Sequence, residues 1–215
     1  MTKSIVSALC LAALAVTVPL GAQPAMQKPG SKSAAAITGG SYKADPNHTL
    51  VTWTLDHMGF TPYTGIFGGV TGTLELDPKR IAAARVDVTI PVAKVTTASA
   101  GLTAHLLRAA KDAGGKPDFF GPDPAPARFV STSVKVLGKD RAAITGNLTL
   151  NGVTRPVVLT AAFYGAGKMP AMMGGGEGLG FTARATIKRS DFGLGFGVPM
   201  VSDAVTLNIA AGFMK

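Results

Sequence analysis

Gly180-Phe-Thr-Ala-Arg-Ala-Thr-Ile-Lys-Arg-Ser-Asp-Phe-Gly193 is the stretch of sequence from which the fold follows. Its apolar and polar residues alternate, so that one face carries Phe181, Ala183, Ala185 and Ile187 and the other carries Thr182, Arg184, Thr186 and Lys188. This alternation is typical of an antiparallel strand with one face on a core and the other in water. The same count places Arg189 and Asp191 on the apolar side. We expect these two residues to pair with each other or with neighbouring backbone, because an unpaired charge there is costly.

Similar alternating segments recur from Ser41 to the end of the chain, separated by Gly, Pro and Asn/Asp turns. They predict strands near residues 51–57, 74–76, 86–92, 130–136, 144–150, 153–164, 180–188 and 204–212. Asn151-Gly152, between two of these strands, is the best short hairpin signal in the sequence. About eight antiparallel strands suggest a sandwich or a barrel, and an up-and-down barrel leaves no strand edge exposed. The predicted fold is therefore all-β, an eight-stranded antiparallel lipocalin-like β-barrel with one short helical segment.

Two segments depart from the strand pattern. Residues 98–110 predict the helix, because Leu102, Leu106 and Ala109 recur at helical spacing and Gly114-Gly115 follows. Residues 165–178 combine three methionines with several glycines. We expect a mobile loop there.

The first 22 residues have the composition of a secretory signal peptide. Lys3 supplies a positive start, residues 5–20 are apolar, and small residues follow that allow cleavage as late as residue 25. Cys10, the single cysteine, lies in this segment, so the mature chain would contain no disulfide. We expect export to the periplasm, a flexible leader over residues 23–40 and a barrel domain over residues 41–215.

The net charge of +9, which would be +8 without Lys3, comes from basic residues that are scattered along the chain. Because no basic stripe with interleaved aromatics is present, nucleic-acid binding is not expected. Weak attraction to anionic headgroups is a more natural use of the excess charge, so transient contact with a membrane surface is a candidate interaction. Both a monomer and a homodimer remain open.

In order and spacing, the motifs resemble the YceI-like family of exported, lipocalin-like polyisoprenoid-binding proteins. The motifs are Asp45 with His48-Thr49, His57, Gly65-Ile-Phe67, His105-Leu106, Asp118-Phe119-Phe120, Phe129-Val-Ser-Thr132, the hairpin from Gly146 to Val157, Arg189-Ser-Asp191-Phe192-Gly193, and Val201-Ser-Asp203. The resemblance implies a barrel that binds a long apolar lipid, polyisoprenoid or fatty-amide-like. Residues 109–117 look inserted and residues 165–178 look long for the family, and both departures would reshape the mouth of the barrel.

An eight-stranded barrel is just wide enough to hold one small ligand. The inward faces also contain many Ala, Gly and Thr residues, which leave room inside. Tail burial would contribute about 0.8 kcal/mol per CH₂ group, with Arg189 or His57 orienting the head. The candidate ligand-binding residues are Trp53, His57, Phe60, Phe67, Phe129, Phe181, Arg189, Phe192 and Phe196.

The histidines leave alternatives open. His57 is four residues after Trp53 in a predicted strand, so both side chains are expected to point to the same face, into the barrel. Three roles remain open for His57: a structural residue, a headgroup contact or, least of all, a metal ligand. His48 belongs to a turn, and His105 is expected at the surface or at a helix cap. No catalytic motif is recognisable, so neither catalytic residues nor a cofactor are expected. The alternative function is a periplasmic copper or stress-response protein that uses Met169, Met172 and Met173 with histidines, since thioethers favour Cu(I).

Overall fold

The structure, a computed structural model, describes residues 27–215. The predicted signal peptide lies outside the described residues. Within them the strands are β1 Gly30–Ser31, β2 Gly40–Ala44, β3 Leu50–His57, β4 Thr61–Phe67, β5 Thr71–Leu76, β6 Arg85–Ile90, β7 Val95–Thr97, β8 Ala127–Gly138, β9 Arg141–Leu150, β10 Val153–Lys168, β11 Glu177–Lys188 and β12 Ala204–Met214. The α-helix of this part of the chain, α1, spans Ala100–Leu106.

The strands close into an eight-stranded antiparallel barrel, which confirms the predicted fold class. β12 pairs with β3 through residues 206–210 and with β2 through residues 213–214, so β2 and β3 are two halves of one barrel strand. β5 and β4 continue this arrangement on the next strand, and β6 and β7 on the one after it. β8, β9, β10 and β11 follow in order, and the pairing of β11 with β12 closes the ring.

A turn at residues 45–49 divides the first barrel strand, and side chains satisfy its backbone. The Asp45 carboxylate accepts a hydrogen bond from the backbone N–H of Asn47 at 2.9 Å and lies 2.6 Å from Nδ1 of His48. The buried Thr49 hydroxyl donates to the carbonyl of Gly212 at 3.0 Å and accepts from the N–H of Gly212 at 3.1 Å. The turn therefore interrupts the strand without separating it from β12.

The alternation along β11 is observed as predicted. Ala185 and Ile187 are buried, and Phe181 and Ala183 are half-buried, whereas Thr182, Arg184, Thr186 and Lys188 are exposed. The hairpin at Asn151-Gly152 is also confirmed. It joins β9 to β10 with positive φ values of 51° and 75°, which Asn and Gly tolerate best.

The helix is shorter than predicted. α1 begins after Ser99, whose side chain accepts a hydrogen bond from the N–H of Leu102, and it ends at Leu106. Leu102 and Leu106 pack against the core. The residues that follow, including Arg108, Ala109 and Lys111–Lys116, are exposed and have no core to pack on.

The methionine–glycine segment is mostly strand, which corrects the predicted loop over residues 165–178. β10 and β11 remain paired as far as Lys168 and Glu177, so the connection is confined to residues 169–176. The period-two pattern was hidden because small residues dominate the strand ends. After a register shift between Phe163 and Gly165, β10 and β11 pair without interruption from Gly165 with Gly180 to Lys168 with Glu177.

The described part of the expected leader lies against the barrel. β1 pairs with β10 at Gly167 and Ala166, a single 3₁₀ turn follows at Ala34–Ala36, and Ile37 is buried among core residues. The seven-residue α1 is far too short to span a bilayer, and no helix within residues 27–215 is long and apolar enough to do so.

Candidate functional site

An apolar cavity of about 650 Å³ occupies the interior of the barrel. Most strands contribute apolar side chains to its wall, among them Phe67 of β4, Phe129 of β8 and Phe181 of β11. Apart from Thr49, every lining residue that is buried or half-buried is apolar. The Thr49 hydroxyl is already engaged with the backbone of Gly212. The interior can therefore hold a hydrocarbon chain but offers no free partner to a polar group.

The cavity opens at one end of the barrel, and we call this opening the mouth. It is formed by the lining residues that are also exposed to solvent, which are Lys32, Ser33, Ala34, Ile81, Val136 and Gly138–Arg141. Residues 32–34 follow β1, Ile81 lies between β5 and β6, and residues 136–141 form the tip of the β8–β9 hairpin. Four of these residues are charged, whereas the wall behind them is not.

A packed core fills the other end of the barrel, which we call the closed end. Trp53, Leu106, Phe192 and Leu194 are buried there in one cluster. Trp53 and Tyr63 stack with ring centroids 6.5 Å apart, and within the described residues neither the Trp53 Nε1 nor the Tyr63 hydroxyl finds a hydrogen-bond partner. This core forms the floor beneath the cavity.

Three of the nine predicted ligand-binding residues line the cavity. They are Phe67, Phe129 and Phe181. Phe181 belongs to an aromatic group near the mouth end, with ring centroids 5.8 Å from Phe163 and 6.3 Å from Phe213. Trp53 faces inward as its parity predicted, but it and Phe192 lie in the floor and do not line the cavity.

Three other predicted residues lie outside the barrel, which corrects their expected positions. His57 does not enter the barrel, because β3 ends there and Met58 turns the chain with a φ of 62°. Phe60, in the turn that follows, is 85% exposed. Phe196 is partly exposed and packs edge-to-face against His105 and Phe119 at the closed end.

Arg189 is buried, but it is paired with backbone and not with Asp191. Its guanidinium donates hydrogen bonds to the carbonyl oxygens of Ser202, Val201 and Phe196 at 2.9, 2.8 and 2.7 Å, and to that of Leu194. Burial lowers the pKa of Arg189 from its usual value. The backbone branch of the prediction is thus confirmed for Arg189, and these bonds leave the guanidinium committed to the loop at 194–202.

Asp191 is exposed, because the strand ends at Lys188 and a 3₁₀ turn over Arg189–Phe192 breaks the alternation. The carboxylate that holds this region is Asp203. It accepts hydrogen bonds from the N–H and hydroxyl of Ser190 at 2.8 and 2.7 Å, and these bonds lower its pKa. Sequence reasoning missed Asp203 as a partner. The only available signal was its place in a second Ser-Asp motif.

The histidines are divided between separate places. His105 Nε2 lies 2.7 Å from Asp118, whose pKa is lowered chiefly by this hydrogen bond, and Arg108 donates to the same carboxylate at 3.0 Å. His105 and His57 are at the closed end, whereas Met172 and Met173 are exposed in the turn beyond Lys168, at the mouth end. No group of three His, Cys, Asp or Glu residues suited to a metal ion occurs within residues 27–215.

Comparison with known proteins assigns the chain to a family. Residues 42–213 match the YceI-like domain. Protein YceI of Escherichia coli O157:H7 is 38% identical over 181 residues, which covers 83% of this chain and 88% of that protein.

Solved structures give the same result for the fold. The crystal structure of the Campylobacter jejuni YCEI protein matches with a TM-score of 0.61 and 27% identity, covering 74% of this chain and 89% of the other. A polyisoprenoid binding domain from Saccharophagus degradans matches with a TM-score of 0.55 over 80% of this chain and 97% of the other. At 13% identity, the second likeness concerns the fold alone.

Proposed function

Because the chain belongs to the YceI-like domain family, we propose that it is a binding protein that holds one long apolar lipid in its barrel and performs no chemistry on it. The ligand class is polyisoprenoid or fatty-amide-like. The observation that carries the proposal is the cavity, whose buried wall is apolar apart from one satisfied threonine. The fold shared with a polyisoprenoid binding domain is consistent with it.

The size of the cavity bounds the ligand. A chain methylene is about as large as a water molecule, which occupies roughly 30 Å³ in the liquid. The cavity of about 650 Å³ therefore has room for on the order of twenty chain carbons. At about 0.8 kcal/mol per buried CH₂, tail burial is strong enough to hold the ligand without a polar anchor inside. A longer chain would leave its end outside the mouth.

A cavity-filling variant tests the proposal. Ala161 lines the cavity and is buried, whereas its neighbour Thr160 is exposed on the outer face of β10. We expect Ala161→Phe to weaken displacement of a fluorescent fatty probe by prenyl or acyl chains, and Thr160→Phe to leave it unchanged. Native mass spectrometry of the protein from its own envelope should also reveal a bound lipid. A parent protein that emerges empty and takes up no such chain would refute the proposed function.

We also propose that the protein is exported. The support is the charged, apolar and small-residue order of residues 1–22. The test is the mass of the mature chain isolated from the periplasmic fraction. A chain that is found in the cytoplasm with Met1–Ala22 still attached would contradict export.

A further inference from the structure

We propose that the mouth binds an anionic head group, so that the preferred ligands are apolar chains ending in an oxyanion such as a carboxylate or a phosphate. This inference rests on the proposed function and deepens it, because it names the chemical class of the head and, within the proposed ligands, favours an anionic head over the neutral amide. It also moves the headgroup contact to the end of the barrel opposite the one where the sequence suggested it.

The first step is that a polar head has to remain at the mouth. Behind the mouth, the wall provides only apolar side chains and the Thr49 hydroxyl, which both donates to and accepts from Gly212. A charged or strongly polar group placed there would lose its hydration without compensation. An amphiphile therefore enters tail first, and its head stays among Lys32–Ala34 and Gly138–Arg141.

The second step is that the closed end has no group to offer. The Arg189 guanidinium donates to four backbone carbonyls, and His57 is exposed on the outside of the barrel. The floor formed by Trp53 and Phe192 separates both from the cavity. Neither Arg189 nor His57, the residues that the sequence suggested for binding the head group, can therefore contact a ligand in the cavity.

The third step is the charge of the mouth. Lys32, Lys139 and Arg141 line it, and Asp140 is the one acidic residue among the described residues that line the cavity, so cations are in excess. Within residues 27–215 none of these three cations takes part in a salt bridge or a side-chain hydrogen bond. Their charges are therefore available to a ligand.

Two further carboxylates near the mouth, those of Asp77 and Glu177, are already engaged. Asp77, which precedes the lining residue Pro78, accepts a hydrogen bond from Arg80 at 2.8 Å. Glu177 accepts from the Tyr42 hydroxyl at 2.6 Å and from the N–H of Thr38. Neither carboxylate neutralises Lys32, Lys139 or Arg141, which leaves this end attractive to an anion.

The β8–β9 hairpin fixes the backbone that carries two of the cations. Gly138 pairs with Arg141 across the hairpin, and the carbonyl of Asp140 accepts a hydrogen bond from the N–H of Phe163 at 2.8 Å. The backbone that carries Lys139 and Arg141 is therefore fixed to the neighbouring strand, and Arg141 borders both the mouth and the outer face of β10 and β11. Because the backbone is already fixed, an oxyanion that binds there has to order only the side chains and not the turn itself.

The experiment compares matched ligands that differ only in the head. A fatty acid is compared with its methyl ester, and a prenyl phosphate with the prenyl alcohol, each as a competitor for one fluorescent probe in the full mature protein. We expect each anionic member to bind about tenfold more tightly than its neutral partner, a factor that corresponds to 1.4 kcal/mol. Raising the salt concentration should reduce this preference, because the mouth cations are exposed. The two pairs together tell whether the carboxylate or the phosphate is preferred.

The charge variant is Lys139→Gln with Arg141→Gln, and its control is Lys135→Gln with Arg155→Gln, at exposed positions of β8 and β10 outside the cavity lining. We expect the mouth variant to lose most of the anion preference while it binds the neutral ligands as before, and the control to keep the preference. Equal binding of anionic and neutral ligands by the parent, or a preference that survives in the mouth variant, would overturn this inference and leave the proposed function standing. Failure of every ligand to bind would overturn both.

Discussion

At the scale of single residues, Arg189 shows how a buried charge can be structural. Its hydrogen bonds connect the end of β11 to the carbonyls of residues 194, 196, 201 and 202. The guanidinium suits this role because it presents five donors in a rigid plane. The same pattern explains why the Arg-Ser-Asp and Ser-Asp motifs occur together, since Ser190 binds Asp203.

Arg189→Ala should lower the free energy of unfolding by about 3–5 kcal/mol, because several buried carbonyls lose their donors. Arg189→Lys should recover only part of the loss, since an ammonium has three donors and a different shape. Arg184→Ala, on the exposed face of the same strand, is the control and should change stability by less than about 0.5 kcal/mol. Chemical denaturation measures all three. An Arg189→Ala protein as stable as the parent would show that these hydrogen bonds contribute nothing.

The indole ring of Trp53 packs against the neighbouring strand at a position that has no side chain. Gly65 is its cross-strand partner, and a Cβ atom at Gly65 would overlap the indole ring. We expect Trp53→Ala to cost about 3–5 kcal/mol and Gly65→Ala about 1–3 kcal/mol. In the double variant, Gly65→Ala should lower the free energy of unfolding by less than it does in the parent protein, because the Trp53 ring no longer occupies that space. Denaturation curves of the three variants give the coupling, and strict additivity would show that the ring does not rest on Gly65.

At the scale of elements, one residue of the β9–β10 hairpin, Asn151, has two structural functions. Asn151 adopts the positive φ that the turn requires, and its side-chain amide donates to the carbonyl of Phe192 at 3.0 Å. It therefore shapes the hairpin and attaches it to the closed end. Only the first of these functions is visible in the sequence.

Substitutions at Asn151 should separate the two contributions. Asn151→Gly keeps the turn conformation and loses the hydrogen bond, for a cost of about 0.5–1.5 kcal/mol. Asn151→Ala loses the hydrogen bond as well and adds about 1–2 kcal/mol for a left-handed non-glycine residue. Thermal unfolding should rank the parent above the glycine variant and the glycine variant above the alanine variant. Equal stability of the two variants would mean that the turn conformation carries no cost.

The interrupted strands explain why element boundaries were harder to predict than element types. β2, β4 and β7 were missed because a turn or loop, at residues 45–49, 68–70 and 91–94, separates each of them from the other half of its barrel strand. The count of eight was still correct, since every predicted strand belongs to a different barrel strand. The local alternation of apolar and polar residues identifies which segments form strands, whereas the neighbouring strands with which a segment pairs decide where it ends.

At the scale of the whole molecule, Tyr42 and Glu177 join three distant parts of the chain. The buried Tyr42 hydroxyl donates to Glu177 at 2.6 Å and accepts from the N–H of Gly39, while Lys215 Nζ donates to the carbonyl of Gly39. Burial and the neighbouring carboxylate raise the pKa of Tyr42 to about 12. The segment before β2, the start of β11 and the C-terminus are thereby held together.

This raised pKa predicts a loss of stability at alkaline pH. The folded state favours the neutral phenol of Tyr42. Its contribution to the free energy of unfolding is therefore complete below about pH 10, the ordinary pKa of tyrosine. The contribution is lost as the pH rises through the pKa of Tyr42 in the folded protein, about 12. The unfolding midpoint should fall across this interval, and Tyr42→Phe should remove most of the slope. Ultraviolet absorbance of tyrosinate would follow the ionisation directly. A Tyr42 that ionises near pH 10 in the folded protein would contradict the prediction.

The sequence by itself determined the strand type, the inward faces of Phe181 and Trp53, the Asn151-Gly152 hairpin and the family, because each depends on residues close in the chain or on motifs in order. It failed for His57 and Asp191, since the alternation of faces holds only while a strand continues, and the turns at Met58 and residues 189–192 end it. Phe60, a candidate as an aromatic residue, lies in the first of these turns. Only the tertiary structure decided that a packed floor closes one end of the barrel and that Lys32, Lys139 and Arg141 meet at the other. The physical reason is that closure of the barrel brings together residues more than a hundred positions apart, and no local pattern records which of them become neighbours.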